Sequence, residues 1–127
     1  MGPVEIQLQR LKERHPDASW REATGIGHII TLPQFTLPAG WNKRSCQVCF
    51  IAPQGYPYAK PDCFWTDQDL RLISSPSALP QNTGRSPVAP ELSQMLWFSW
   101  HAEQWNANRD DLLSWIASIR DRLSRLR

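Results

Sequence analysis

Nowhere in this sequence does an apolar run approach the roughly 20 residues that a membrane-crossing helix requires, which excludes that class. Charge of one sign is missing too. The 14 Lys and Arg nearly balance the 12 Asp and Glu, leaving a formal +2 that argues neither for nor against nucleic acid. Cysteine is scarce and odd in number, with three residues, which fits a reducing, cytoplasmic setting better than a disulfide scaffold. The first residues read as polar and helical, without the apolar segment of a signal peptide. Met1-Gly2 is followed by Ile6 where a myristoylation motif needs Ser or Thr. No internal repeat is visible, and no small-molecule cofactor or metal is implied.

What is present describes one globular domain over residues 1–127, with 41% hydrophobic residues and seven Trp. At this length a chain buries roughly two-thirds of its unfolded surface and needs no metal or disulfide staple. Val4, Leu8 and Leu11 are spaced as one face of a short helix that ends before Pro16. Ser19 to Thr24 reads as a first strand, Gly25 and Gly27 as a turn, and His28 to Leu32 as a second strand. Leu37 to Gly40 is a turn, and Cys46 to Ile51 is a central strand closed by Pro53-Gln54-Gly55. Thr66 to Pro90 is irregular and rich in Pro, Ser, Asn and Gln, with Leu70, Leu72 and Ile73 ready to bury. A loop that long in a small domain is usually functional or disordered. Glu91 to Trp100 turns apolar again and reads as a short helix. Asn108 is a candidate cap, with Asp111 in a capping-box-like position, for a terminal helix carrying Leu112, Ile116, Ile119, Leu123 and Leu126. Arg120, Arg122, Arg125 and Arg127 crowd its C-terminal end, where the dipole favours them. The order predicts an α+β fold, an antiparallel meander of three or four strands with helices packed on it.

Cys46-x-x-Cys49 lies within a predicted strand, so its side chains fall on opposite faces and read as core rather than as a redox or metal pair. A zinc site needs a second pair of ligands, and the chain offers only Cys63 and scattered His. Cys63, between Asp62 and Phe64, reads as an apolar side chain, with no neighbouring base to activate it. His101, after the long loop and among aromatics, suits proton transfer near neutral pH and equally suits packing. The loop adds hydroxyls at Ser74, Ser75, Ser77, Thr83 and Ser86. Trp65, Trp97, Trp100 and Trp105 lack interleaved Lys or Arg, so they read as core aromatics rather than a nucleic-acid surface.

Together the motifs resemble the ubiquitin-conjugating (UBC) fold. Gly55-Tyr56-Pro57, Pro61-Asp62-Cys63-Phe64-Trp65 and the lone Trp105 before a helix follow its layout. With Leu37-Pro38-Ala39-Gly40, Leu70-Arg71-Leu72, Trp100-His101 and Asp110-Asp111-Leu112 they are similar to the bacterial branch called prokaryotic family E. The resemblance covers essentially the whole chain. It implies acyl transfer of a ubiquitin-like protein from an activating enzyme to an amine on protein targets, in systems linked to antiphage defence. It also implies that Tyr56, Pro57, Trp65 and Trp105 take part in partner binding.

Three departures matter. The eukaryotic His-Pro-Asn triplet is absent, and no Cys lies beyond Phe64. The chain also stops after one helix past Trp105. Three explanations follow: an inactive adaptor that binds the ubiquitin-like protein or the activating enzyme, a thioester on Cys63, or an oxyester on a loop hydroxyl. A hydroxyl yields essentially no alkoxide unaided and needs a base close by. For the third explanation His101 is the expected base, Asn82 the expected oxyanion donor, and Thr83, beside Gly84, the expected nucleophile, followed by Ser77, Ser75, Ser74 and Ser86.

Overall fold

Two helices and one face of a single sheet form the main core. The computed structural model describes residues 2–127; Met1, the first residue of the myristoylation motif tested above, lies outside them. Helix α1 (Pro3–Arg14) opens with proline in its first turn, where a missing N–H costs nothing, and buries Leu8 and Leu11. Helix α2 (Leu112–Leu123) buries Leu112, Trp115, Ile116, Ile119 and Leu123 at the expected spacing. Its cap is Asp111, not Asn108: the Asp111 carboxylate accepts from the Ser114 N–H at 2.8 Å, and Ser114 Oγ accepts from the Asp111 N–H at 2.8 Å. Asn108 instead donates its N–H to Asn106 Oδ1 in the turn before the helix. Leu126 falls beyond the helix and is 50% exposed.

The strands are β1 (Ser19–Ala23), β2 (Gly27–Thr36), β3 (Ser45–Pro53), β4 (Phe64–Thr66), β5 (Thr83–Arg85) and β6 (Leu96–Phe98). They form one antiparallel sheet in the order β1-β2-β3-β4-β6-β5. The β1–β2 hairpin requires Gly27, whose φ is +126° and where a Cβ would lie 2.2 Å from the Ala52 carbonyl oxygen. β2 runs past Leu32 to Thr36, with its register against β3 shifting between Leu32 and Phe35. Pro33 lies in that interval; it has no N–H to give a ladder, and such residues belong at bulges.

One face of the sheet packs on the helices through Ile30, Phe50, Phe64, Leu96 and Phe98. Burying a large side chain of this kind contributes roughly 1.5–3 kcal/mol relative to leaving it exposed. Phe64 and Phe98, paired across β4 and β6, stack with centroids 4.6 Å apart. The other face carries Ile29, Cys49, Cys63 and Trp65, covered by Val88, Leu92 and Met95. Cys46 and Cys49 therefore belong to opposite faces, as strand alternation requires.

The long irregular region is better ordered than its composition suggests. Its first part docks on the 37–45 loop: Lys43 pairs with Asp67 at 3.0 Å and Asp69 at 2.5 Å. Leu70 and Leu72 are buried there, whereas Ile73 is 63% exposed, contrary to expectation. The region also contains β5. Glu91–Trp100 forms turns and then β6, not a helix. Leu96, Trp97 and Phe98 gain more by pairing with Phe64, Trp65 and Thr66 than a single helical turn could offer.

Candidate functional site

The pairing of β4 with β6 builds the site. Phe64 lies opposite Phe98, and the Cys63 N–H donates to the Trp100 carbonyl at 2.8 Å. The residues entering β4 thus face the residues leaving β6. Asp62 Oδ1 meets His101 Nδ1 in a short contact, with both side chains about half exposed. A carboxylate on Nδ1 holds the proton there and leaves Nε2 free to act as a base. The Cys63 sulfur lies within 4.8 Å of the Asp62 and His101 ligand atoms. Cys63 itself holds a left-handed φ of 65°, which is uncommon for a residue with a Cβ.

Two cavities flank this dyad. The smaller, about 350 Å³, is lined by Cys63 and Asp62 together with Ile26, Trp65, Val88 and Trp97. Burial there pushes the Cys63 thiol up, and a backbone hydrogen bond at Trp100 only partly opposes it. Few thiolates form in such a setting. Asp62, Cys63 and His101 offer one oxygen, one sulfur and one nitrogen to a cation, one protein ligand short of a closed structural zinc site.

The larger cavity, about 720 Å³, is more polar and opens between the stretch after β6 and the outer face of α2. Asn82, Ser99, His101, Ser118, Asp121 and Arg125 are among its lining residues. Asn82 adopts φ 62°, a conformation that Asn tolerates better than most residues. Its carbonyl accepts from the Ser99 N–H at 2.7 Å. The preceding carbonyl, of Gln81, accepts from Arg122 Nη2 at 2.8 Å. Arg122 is fully buried on α2. It also donates to the Arg125 and Arg127 carbonyls and lies over the Phe98 ring at 5.2 Å. Burial, and then the neighbouring Arg127 and Arg125 charges, lower its pKa to about 10. The Arg122 guanidinium, bonded to main-chain oxygens of Gln81, Arg125 and Arg127, ties the segment before Asn82 to the end of α2.

Two expected site residues, Asn82 and His101, share this cavity. Thr83 is not among its lining residues; its hydroxyl donates to the Pro80 carbonyl at 2.6 Å. Ser74, Ser75 and Ser77 lie on an exposed stretch outside the lining. Ser86 accepts from Trp65 Nε1 at 2.9 Å and donates to the Val88 carbonyl. Of the residues expected to bind partners, Tyr56 and Trp65 are 6% and 2% exposed and Pro57 is buried. Tyr56 bonds Gln7, and half-buried Trp105 packs on it while donating to the Pro57 carbonyl at 2.7 Å. The neighbouring Tyr58, by contrast, is 84% exposed.

Asp62 and Ser99 were missed from sequence. Asp62 stands 39 positions from His101, and no local spacing connects them. The usable signal was the match of Phe64-Trp65-Thr66 to Leu96-Trp97-Phe98 as partner strands. Reading 91–100 as a helix hid it.

Residues 9–126 match the model of a family described as prokaryotic E2 family E. No curated protein matches the chain, and no solved structure does. The helix, antiparallel sheet and C-terminal helix agree with the UBC-like fold of that family. A ubiquitin-conjugating-like role, with protein partners of that pathway, follows in general terms. Among the described residues no helix is long and apolar enough to cross a membrane.

Proposed function

Because the chain belongs to prokaryotic E2 family E, we propose that it is an acyl carrier. It takes the C-terminus of a ubiquitin-like protein from an activating enzyme, holds it as an oxyester, and passes it to an amine on a target protein. The observation that carries this reading is the Asp62–His101 dyad at the edge of a polar cavity that also contains Asn82. Acyl transfer to a hydroxyl needs a base, an orienter for that base and a donor for the oxyanion. His101, Asp62 and Asn82 supply those three chemistries at one place. A cytoplasmic location and service in antiphage defence belong to the same reading.

A second reading has one specific observation in its favour: the Cys63 sulfur is also near His101, which would make the adduct a thioester. Against it stand the burial of Cys63, 7% exposed, and its raised pKa.

The test is a charging reaction with the cognate activating enzyme, ATP and the ubiquitin-like protein, resolved on gels with thiol and with hydroxylamine. A covalent adduct that resists thiol and yields to hydroxylamine is the expected result. A thiol-labile adduct transfers the role to a cysteine. Stable binding without any adduct leaves a non-catalytic adaptor and ends the carrier reading.

A further inference from the structure

On the acyl-carrier reading above, the cavity must supply the oxygen that is acylated. Its lining holds two hydroxyls, Ser99 and Ser118. Ser118 directs its Oγ to the Ser114 carbonyl within α2, at 3.4 Å. The Thr83 and Ser86 hydroxyls are engaged elsewhere, and Ser75 and Ser77 stand outside the lining. Ser99 differs from all of these. Its backbone N–H is fixed on the Asn82 carbonyl at 2.7 Å, and its hydroxyl has no hydrogen-bond partner among the described residues. It stands two residues before His101, and both line the same cavity.

The geometry points to Ser99 as the residue that is acylated, with His101 as its base, Asp62 orienting the imidazole and the Asn82 amide donating to the oxyanion. Ser99 Oγ bonds to the activated acyl carbon while its proton passes to His101 Nε2. The bond from that carbon to the activating enzyme's leaving group breaks, and the leaving group departs with the electron pair and takes the proton from the imidazolium. In the second step the acceptor amine attacks the ester carbon. A C–N bond forms as the amine gives up one proton to His101 Nε2, the C–Oγ bond breaks, and Ser99 Oγ takes a proton back from the imidazolium. Each step exchanges one acyl bond for another, and no oxidant or reductant is needed. No hydrogen bond joins Ser99 Oγ to Nε2 in this resting state; nucleophile and base commonly close up only when the substrate is bound.

The experiment charges wild-type protein, Ser99→Ala and Ser99→Cys side by side and maps the adduct by mass spectrometry. Wild type is expected to form a thiol-resistant, hydroxylamine-labile adduct on the peptide containing Ser99. Ser99→Ala is expected to lose at least about 1,000-fold in charging rate, as removal of a nucleophile does. Ser99→Cys is expected to charge and to become thiol-labile, which shows a folded site and a changed bond in one measurement. Charging of Ser99→Ala at the wild-type rate, or a thiol-resistant adduct on Ser99→Cys, overturns Ser99 and leaves the carrier reading standing. A thiol-labile wild-type adduct overturns Ser99 in the same way. Absence of any wild-type adduct overturns both.

Discussion

The two halves of the sheet are built on different terms. β2 and β3 run ten and nine residues and share an extended ladder, while β4, β5 and β6 have three residues each. The long half holds itself together through backbone pairing and the apolar packing of Ile30, Val48 and Phe50. The short half has little ladder of its own and is held by side chains. Arg122 fastens Gln81, Ser86 fastens Trp65, and the Lys43 clamp fastens the loop after β4. The four candidate site residues, Asp62, Asn82, Ser99 and His101, all flank the short strands. Short strands end early, and their ends leave Asn82, Ser99 and His101 to line the larger cavity and Asp62 to line the smaller one.

Substitutions divide along that line. The largest effect on folding is expected from Phe50→Ala in the long half, where a fully buried ring is lost. The cost is about 3–5 kcal/mol, read by chemical denaturation, and the charging rate per folded molecule should not change. A matching loss of rate would mean that the halves are not independent.

Arg122→Met tests the joint between them. It removes the donors to the Gln81, Arg125 and Arg127 carbonyls. A loss of about 1–3 kcal/mol follows from the unpaired carbonyls, together with a fall of about tenfold in charging, because Gln81 precedes Asn82. Unchanged charging despite the lost stability would show that Asn82 holds its place without the tether.

The smallest effect belongs to the Lys43–Asp69 pair at the surface. The Lys43 hydrogen bond holds the Asp69 carboxyl below its ordinary value, so its stabilisation is complete above the usual carboxylate range and is lost as pH falls through the depressed value. Lys43 is raised, chiefly by the same bond, so its share is complete below the usual lysine value and is lost as pH rises through the raised one. Asp69→Asn should flatten the acid limb of a melting-temperature profile by less than about 1 kcal/mol, the ordinary ceiling for an exposed pair. An unaltered acid limb would show that the clamp contributes nothing measurable.

Legibility followed the same division. Leu112, Ile116, Ile119 and Leu123 announce α2 because a helix writes its buried face into local spacing. Cys46–Ile51 announces β3 because a buried strand is a compact apolar run. Leu96-Trp97-Phe98 announces nothing by itself, since three apolar residues suit a strand or a turn of helix equally. His101 and Asn82 could be singled out by side-chain chemistry alone. Asp62 and Ser99 could not, because an aspartate and a serine become informative only when a base stands beside them.

The sequence by itself determined the two helices, the long meander and the family pattern, through periodicities and turn residues that act over a few positions. Only the tertiary structure decided which of the cavity's two hydroxyls is unengaged, which carboxylate meets His101 and which side chain bonds the residue before Asn82. Those relations are formed across β4, β6 and α2 by residues far apart in the chain. Local spacing does not encode such contacts; strand pairing and core packing create them.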